Sequence, residues 1–264
     1  MLKETIHPTP HPEVNAILGE LLSGAKAILG DRFFAMYLYG SLSSGDFNPA
    51  TSDIDFLVVT TGPLSAQTIA GLEKMHMDLK DGGLEWAKRL EGCYLVKDEL
   101  RRHDPHHPPR PWINEGRFFM EGEGSDWVIQ RHVLREQGLA LAGPPPETLI
   151  DPVSPDDLRQ SVLHILDEWW TPMLEKPDFL ENGGVQAFAV LTMCRTLYTL
   201  EHGGIASKPV SARWAIAALD GRWRDLIERS LVMEHDSPTD ILQDTLDFIG
   251  FTRDHAQRFE RRAL

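Results

Sequence analysis

The sequence predicts an α+β chain in two parts. Three observations carry that prediction. Between residues 33 and 96, short apolar runs rich in β-branched residues alternate with helical patterns. After about residue 155, every periodic segment is helical. Between these parts, residues 141–155 (LAGPPPETLIDPVSP) hold five prolines, which no helix or central strand tolerates. The predicted domains are therefore 1–150, carrying the strands, and 151–264, a bundle of about five helices.

Each element has a local reason. Residues 12–29 place apolar side chains at helical spacing, and Gly30 stops the run. Residues 33–39 predict a buried strand that runs into Gly40-Ser41. A turn with a short helix follows to Thr51, then a second strand over 54–60 (IDFLVVT). Residues 68–80 predict a helix and 90–96 (LEGCYLV) a third strand. The segment 101–116 (RRHDPHHPPRPWINEG) is dense in proline and histidine and predicts an irregular loop. Residues 126–138 predict a helix ended by Gly138.

In the second part, Ser154-Pro155 with Asp157 is a helix start: an N-cap, a first-turn proline and an acid near the positive dipole end. That helix is expected to reach about Trp170. Residues 186–201 form another, stopped by Gly203-Gly204. Residues 209–219, 222–232 and 238–260 complete the bundle.

Composition narrows the function classes. At 264 residues, with 42% hydrophobic and 25% charged content, the chain reads as a soluble globular protein. No apolar run is long enough for a membrane helix, and MLKETIHPTP lacks the core of a secretory signal, so the cytoplasm is expected. Cys93 and Cys194 lie in apolar patterns and read as reduced core residues. The net charge is −14, with 40 acids against 26 basic residues and no basic patch, which argues against a nucleic-acid partner. An acidic field suits a small cationic substrate. A monomer is expected.

The stretch YGSLSSGDFNPATSDIDFLVV (39–59) carries the chemistry. A strand runs into Gly40-Ser41; after a gap of eleven residues, Asp53 and Asp55 open the next strand. Residues two apart on a strand share a face. Two carboxylates beside a turn that offers backbone N–H groups suit a divalent cation and a polyphosphate, the requirement of nucleotidyl transfer. A third acid is needed to hold a second metal or to take a proton from the attacking hydroxyl. Glu91 is the carboxylate within the apolar run 90–96, where a charge is costly unless it faces a site or solvent.

These residues resemble the signature of the nucleotidyltransferase superfamily: Gly-Ser, Asp-x-Asp, then a later acid. Arg195 in LTMCRTLYTLEHGGIASKPVSARWA, with Lys208 thirteen residues on, and the phrase ALAGPPPETLIDPV resemble the aminoglycoside 3''/9 adenylyltransferases, over about residues 15–235. The resemblance implies a polymerase-β-like mixed-sheet domain closed by a helical domain. It implies AMP transfer from ATP to a hydroxyl of a streptomycin- or spectinomycin-class acceptor, with Mg2+. Gly40, Ser41 and Ser52 would meet the triphosphate, Asp53 and Asp55 would hold magnesium, and Glu91 would serve as base or further metal ligand. Arg195 and Lys208 would contact the nucleotide. An aromatic residue, Trp112 or Trp127, and an acid, Asp178 or Glu181, would contact the acceptor, a cationic or polyhydroxylated small molecule. The resemblance lapses over 97–127, and the tyrosine expected near IERSLVMEH is absent.

Two other features stand apart. His103, His106 and His107 lack zinc-ligand spacing and read as an exposed loop or lid. Glu234, Asp236, Asp240, Asp244 and Asp247 read as a solvated helix face. Transfer to another metabolite or a protein side chain, and ATP sensing without catalysis, remain alternative readings.

Overall fold

The computed structural model describes residues 8–234 and 237–260; Met1–His7 and Asp236 of the acidic run lie outside them. The chain divides into two compact units, Met1–Pro152 and Val153–Leu264.

The first unit is a six-stranded mixed sheet with helices on both faces. In chain order it comprises α1 (Pro12–Leu29), β1 (Phe33–Leu38), α2 (Ser41–Ser44), β2 (Ile54–Thr60), α3 (Ala66–Asp81), β3 (Leu90–Val96) and α4 (Lys97–Leu100). Then come β4 (Arg110–Asn114), β5 (Arg117–Glu121), α5 (Asp126–Gln137) and β6 (Leu139–Ala142). The strand order is β5-β4-β3-β2-β1-β6, with β2 and β3 parallel and the other pairs antiparallel.

Alternation along the strands builds two cores. Met36, Leu38, Ile54, Phe56 and Val58 face the apolar stripe of α1 and Leu72 of α3. Ala35, Tyr37, Leu57, Val59, Cys93 and Leu95 face the other way, toward Trp112, Trp127 and Leu134. Both cysteines are free and buried.

The structure corrects one segment. Residues 110–114 are a strand within the expected loop, and 117–121 return as a second strand. The turn between them is Glu115-Gly116, both at positive φ (48° and 69°), the two-residue geometry that matches strand twist. Of the preceding histidines His106 is exposed on a loop, as expected, but His103 and His107 are tied down. His103 and His107 direct Nδ1 at the buried Glu123 carboxylate, at 2.9 and 3.2 Å. Arg110 and Arg131 approach the same carboxylate at 2.6 and 2.7 Å, and both guanidinium groups lie over the Trp127 ring. Burial alone would raise the Glu123 pKa; the Arg131 hydrogen bond, the two arginine charges and the His103 bond hold it down to about 2.

The second unit comprises α6 (Pro155–Ile165), α7 (Gly183–His202), α8 (Lys208–Ala218), α9 (Arg224–Val232) and α10 (Leu242–Glu260). Ser154 and Asp157 form a capping box at α6, which continues as a π-helical turn over Leu166–Trp170. α7 is the central helix, buried through Ala189, Val190, Met193, Cys194 and Leu197. The described acids of the run, Glu234, Asp240, Asp244 and Asp247, are all exposed, the last two on α10. Asp240 accepts from the Leu242 amide and from Gln186, and Asp244 pairs with Arg229 at 3.1 Å.

Candidate active site

The site forms where β1 and β2 meet, for a backbone reason. Gly40 has φ 66° and ψ −141°, which redirects the chain from β1 into α2. A Cβ built on Gly40 would fall 1.9 Å from Asp55 Oδ2. The carboxylate thus occupies the space that any side chain at 40 would fill. The Tyr39 amide donates to the Asp55 carbonyl at 3.2 Å, fixing the two strand ends together.

Glu91 is brought in by strand pairing. β2 and β3 run parallel with Asp55 opposite Glu91 and Leu57 opposite Cys93. By alternation, Asp55 and Glu91 share the face of Leu57 and Cys93, which is the α5 side of the sheet. Both are half-buried, whereas Asp53, just before β2, is exposed. The Tyr39 phenol lies in the field of these acids. Its pKa is raised, first by burial and then by the charges of Asp55, Cys93, Glu91 and Asp126. β3 meets β2 closely here: a Cβ on Gly92 would stand 2.2 Å from the Phe56 carbonyl oxygen.

The loop carrying Ser52 and Asp53 is tethered rather than free. The Asn48 amide donates to Ser52 Oγ at 3.0 Å, and the Ser52 amide to the Asn48 carbonyl at 2.8 Å. Arg89, stacked on Trp86, reaches the carbonyls of Pro49, Ala50 and Ser52. Ser41 opens α2, whose first-turn amides follow the Gly40 bend.

This donor set fits a hard divalent cation. Asp53 and Asp55 offer carboxylate oxygens two residues apart, and magnesium is usually held by one or two carboxylates together with substrate phosphates. Among the described residues, no group of three or more His, Cys, Asp or Glu could hold a metal ion by itself.

The acceptor candidates of the first unit lie deeper than expected. Trp112 and Trp127 are buried, 8% and 3% exposed, and meet edge to face at 5.6 Å. Trp112 lies on the sheet face that carries Glu91, one pair further along the strands, and Trp127 of α5 packs against it. A groove of about 830 Å³ between α1 and α3 lies on the opposite face, away from the acids.

In the second unit, Arg195 and Phe188 are two turns apart on α7 and share a face. Lys208 begins α8 and places Nζ 4.2 Å from the Phe188 ring centroid. These contacts put Arg195 and Lys208 on one side of the bundle. Asp178 and Glu181 are exposed on the segment before α7, near the exposed Trp169 and Phe179, whose rings meet at 5.5 Å.

The reading of 101–116 as a loop missed the polar face of the β4–β5 hairpin. The sequence signal is weak: Trp112-Ile113-Asn114 and Arg117-Phe118-Phe119 flank a Glu-Gly turn but set apolar residues side by side instead of alternating. The surrounding prolines and histidines obscured it.

Residues 22–108 match a family model described as nucleotidyltransferase domain, and residues 148–247 one described as aminoglycoside adenylyltransferase, C-terminal domain. An aminoglycoside (3'') (9) adenylyltransferase of Shigella flexneri is 30% identical over 225 residues, covering 81% of this chain and 83% of that protein. A spectinomycin 9-adenylyltransferase of Staphylococcus aureus is 25% identical over 213 residues, covering 76% and 77%. The spectinomycin adenyltransferase AAD(9) of Enterococcus faecialis, solved with ATP and spectinomycin, shares the fold at a TM-score of 0.74 and 17% identity, over 92% of this chain and 98% of its own. The chain belongs to the aminoglycoside (3'') (9) adenylyltransferase family.

Proposed function

We propose that the protein transfers AMP from ATP to a hydroxyl of an aminoglycoside or aminocyclitol of the streptomycin or spectinomycin class. The observation that carries this reading is the pairing of Asp55 with Glu91 on parallel strands, with the Asp55 carboxylate seated against Gly40. The Gly40-Ser41 turn and Ser52 would meet the triphosphate through backbone amides and hydroxyls. Asp53 and Asp55 would hold magnesium, which when bound neutralises charge on the phosphates. Arg195 and Lys208 would add cationic contacts to the nucleotide.

Glu91 serves as general base. It takes the proton as the acceptor oxygen bonds to the α-phosphorus, and the bond from that phosphorus to the bridging oxygen breaks. Pyrophosphate leaves with the electron pair. Positioning and charge neutralisation supply most of the rate. Asp178 and Glu181 would attract a cationic part of the acceptor. Trp112 and Trp127 would support the floor beneath it. The reading has the protein working in the cytoplasm, where ATP is available, as a monomer.

The test is turnover with ATP and magnesium against streptomycin, spectinomycin and unrelated aminoglycosides, scored by pyrophosphate release and the mass of the product. We expect adenylation of at least one acceptor of the first two classes. Asp55→Asn should lower it by at least about 100-fold. Glu91→Gln should bind ATP normally and lose transfer; near-normal turnover in either variant defeats its assigned role.

A further inference from the structure

The acidic row does not end at Glu91. β3 and β4 pair antiparallel, with Gly92 opposite Ile113 and Cys93 opposite Trp112. Continuing that register by one residue sets Asn114 abreast of Glu91. On the next strand Arg117 stands opposite Asn114, and Phe119 opposite Trp112. One face of four adjacent strands therefore carries Asp55, Glu91, Asn114 and Arg117 in line, above Leu57, Cys93, Trp112 and Phe119. The packing supports this assignment of faces, since Phe119 joins the core of Trp112 and Cys93, whereas Phe118 joins the core on the other face.

The hairpin end of this row is open. A small cavity of about 140 Å³ is lined by Asn114, Glu115, Arg117 and Phe119, the size of a subsite rather than of a whole ligand pocket. The side chains of Asn114 and Arg117 make no hydrogen bond or ion pair with any described residue, and Arg117 is exposed. Strand spacing puts Asn114 about 5 Å and Arg117 about 10 Å from Glu91, on the side away from Asp55.

We propose that Asn114 and Arg117 form the acceptor subsite beside the base and determine which acceptors are used. This rests on the adenylyl-transfer reading of the same site. Arg117 only donates hydrogen bonds and is always charged, while Asn114 can donate and accept. Together they recognise an uncharged, oxygen-bearing part of the acceptor next to the reacting hydroxyl. Glu115 also lines the cavity, so repulsion of an ammonium or guanidinium is confined to the Arg117 side, where it would meet a like charge. The acceptor's cationic groups must then point away from Arg117. The row is ordered across the sheet: phosphates at Gly40 to Asp55, the base at Glu91, the acceptor's oxygens at Asn114 and Arg117.

The test compares wild type with Arg117→Ala, Arg117→Glu and Asn114→Ala across neutral and cationic members of one acceptor series. Thermal unfolding checks that each variant is folded; Arg117→Lys, which keeps the charge and loses the fork, is the conservative control. The expected result is an acceptor KM raised at least about tenfold in both alanine variants, with ATP affinity unchanged. Arg117→Glu should shift the ratio of kcat/KM toward acceptors with a cation near the modified hydroxyl, and Arg117→Lys should fall between wild type and alanine. Acceptor KM within twofold of wild type, or a change in ATP affinity instead, overturns the subsite and leaves the adenylyl-transfer reading standing. A wild type that adenylates none of the acceptors overturns both.

Discussion

Gly40 shows how one residue can carry an active site by lacking a side chain. Its positive φ turns the chain, and its missing Cβ leaves room for the Asp55 carboxylate. Gly40→Ala must therefore strain the backbone or displace Asp55. The strain should cost about 1–3 kcal/mol. Displacing a catalytic carboxylate by an ångström can cost about 100-fold in rate. We expect a small loss in thermal stability and at least that loss in turnover. A variant with normal kcat would show that Asp55 need not lie where it does. This residue scale was the most legible in the sequence, because the constraint is local. Gly-Ser, Asp53 and Asp55 are close in the chain, and a two-residue period fixes their common face. Glu91 was legible only through its conflict with an apolar run. Asn114 was not legible, because its place depends on how β4 registers against β3.

At the scale of elements, the sequence identified those whose signals are internal. α1, β2, β3 and the capped start of α6 follow from periodicity, β-branching and the Ser154-Pro155-Asp157 pattern. The hairpin of β4 and β5 was hidden because long-range packing stabilises it. Its strands flank no long apolar run, and Pro111 argues against a strand. What holds the segment is Glu123, which gathers His103, His107, Arg110 and Arg131 around a carboxylate with no solvent exposure. Arg110 Nε and Nη1 have no hydrogen-bond partner, so its charge leans on Glu123 and the Trp127 ring. Removing that carboxylate leaves the buried Arg110 with Glu99 alone, at 3.7 Å, and Arg131 with backbone carbonyls alone. Glu123→Ala should destabilise the protein by about 3–5 kcal/mol, read as a shift in the urea midpoint. A loss below about 1 kcal/mol would show that the cluster is held by its rings and carbonyl contacts instead.

At the scale of the molecule, the buried groups that answer to acid are unevenly distributed. His76 donates to or accepts from the Tyr94 hydroxyl at 2.9 Å, and burial lowers its pKa to about 4. Burial also lowers His132, and Glu123 is held at about 2. All three lie within Met1–Pro152. A histidine with a depressed folded pKa binds fewer protons folded than unfolded below pH 6.5. Its contribution is complete above that value and is lost as pH falls toward about 4, at up to about 1.4 kcal/mol per pH unit. Glu123 loses its contribution lower, between the unfolded carboxylate range and about 2. Asp126 opposes them, because burial raises its pKa and protonation relieves that cost. Among the described residues of Val153–Leu264, the resolved shift is that of Cys194, raised to about 12 by burial and without effect in acid. Acidification from pH 7 to pH 5 should therefore loosen the sheet unit first. Hydrogen exchange should show protection falling in β2, β3 and α3 while α7 keeps its own. His76→Gln, which keeps a hydrogen-bonding group toward Tyr94 and does not titrate, should flatten that dependence. Equal loss in both units, or an unchanged slope in the variant, would mean that acid acts through surface charge rather than through buried His76.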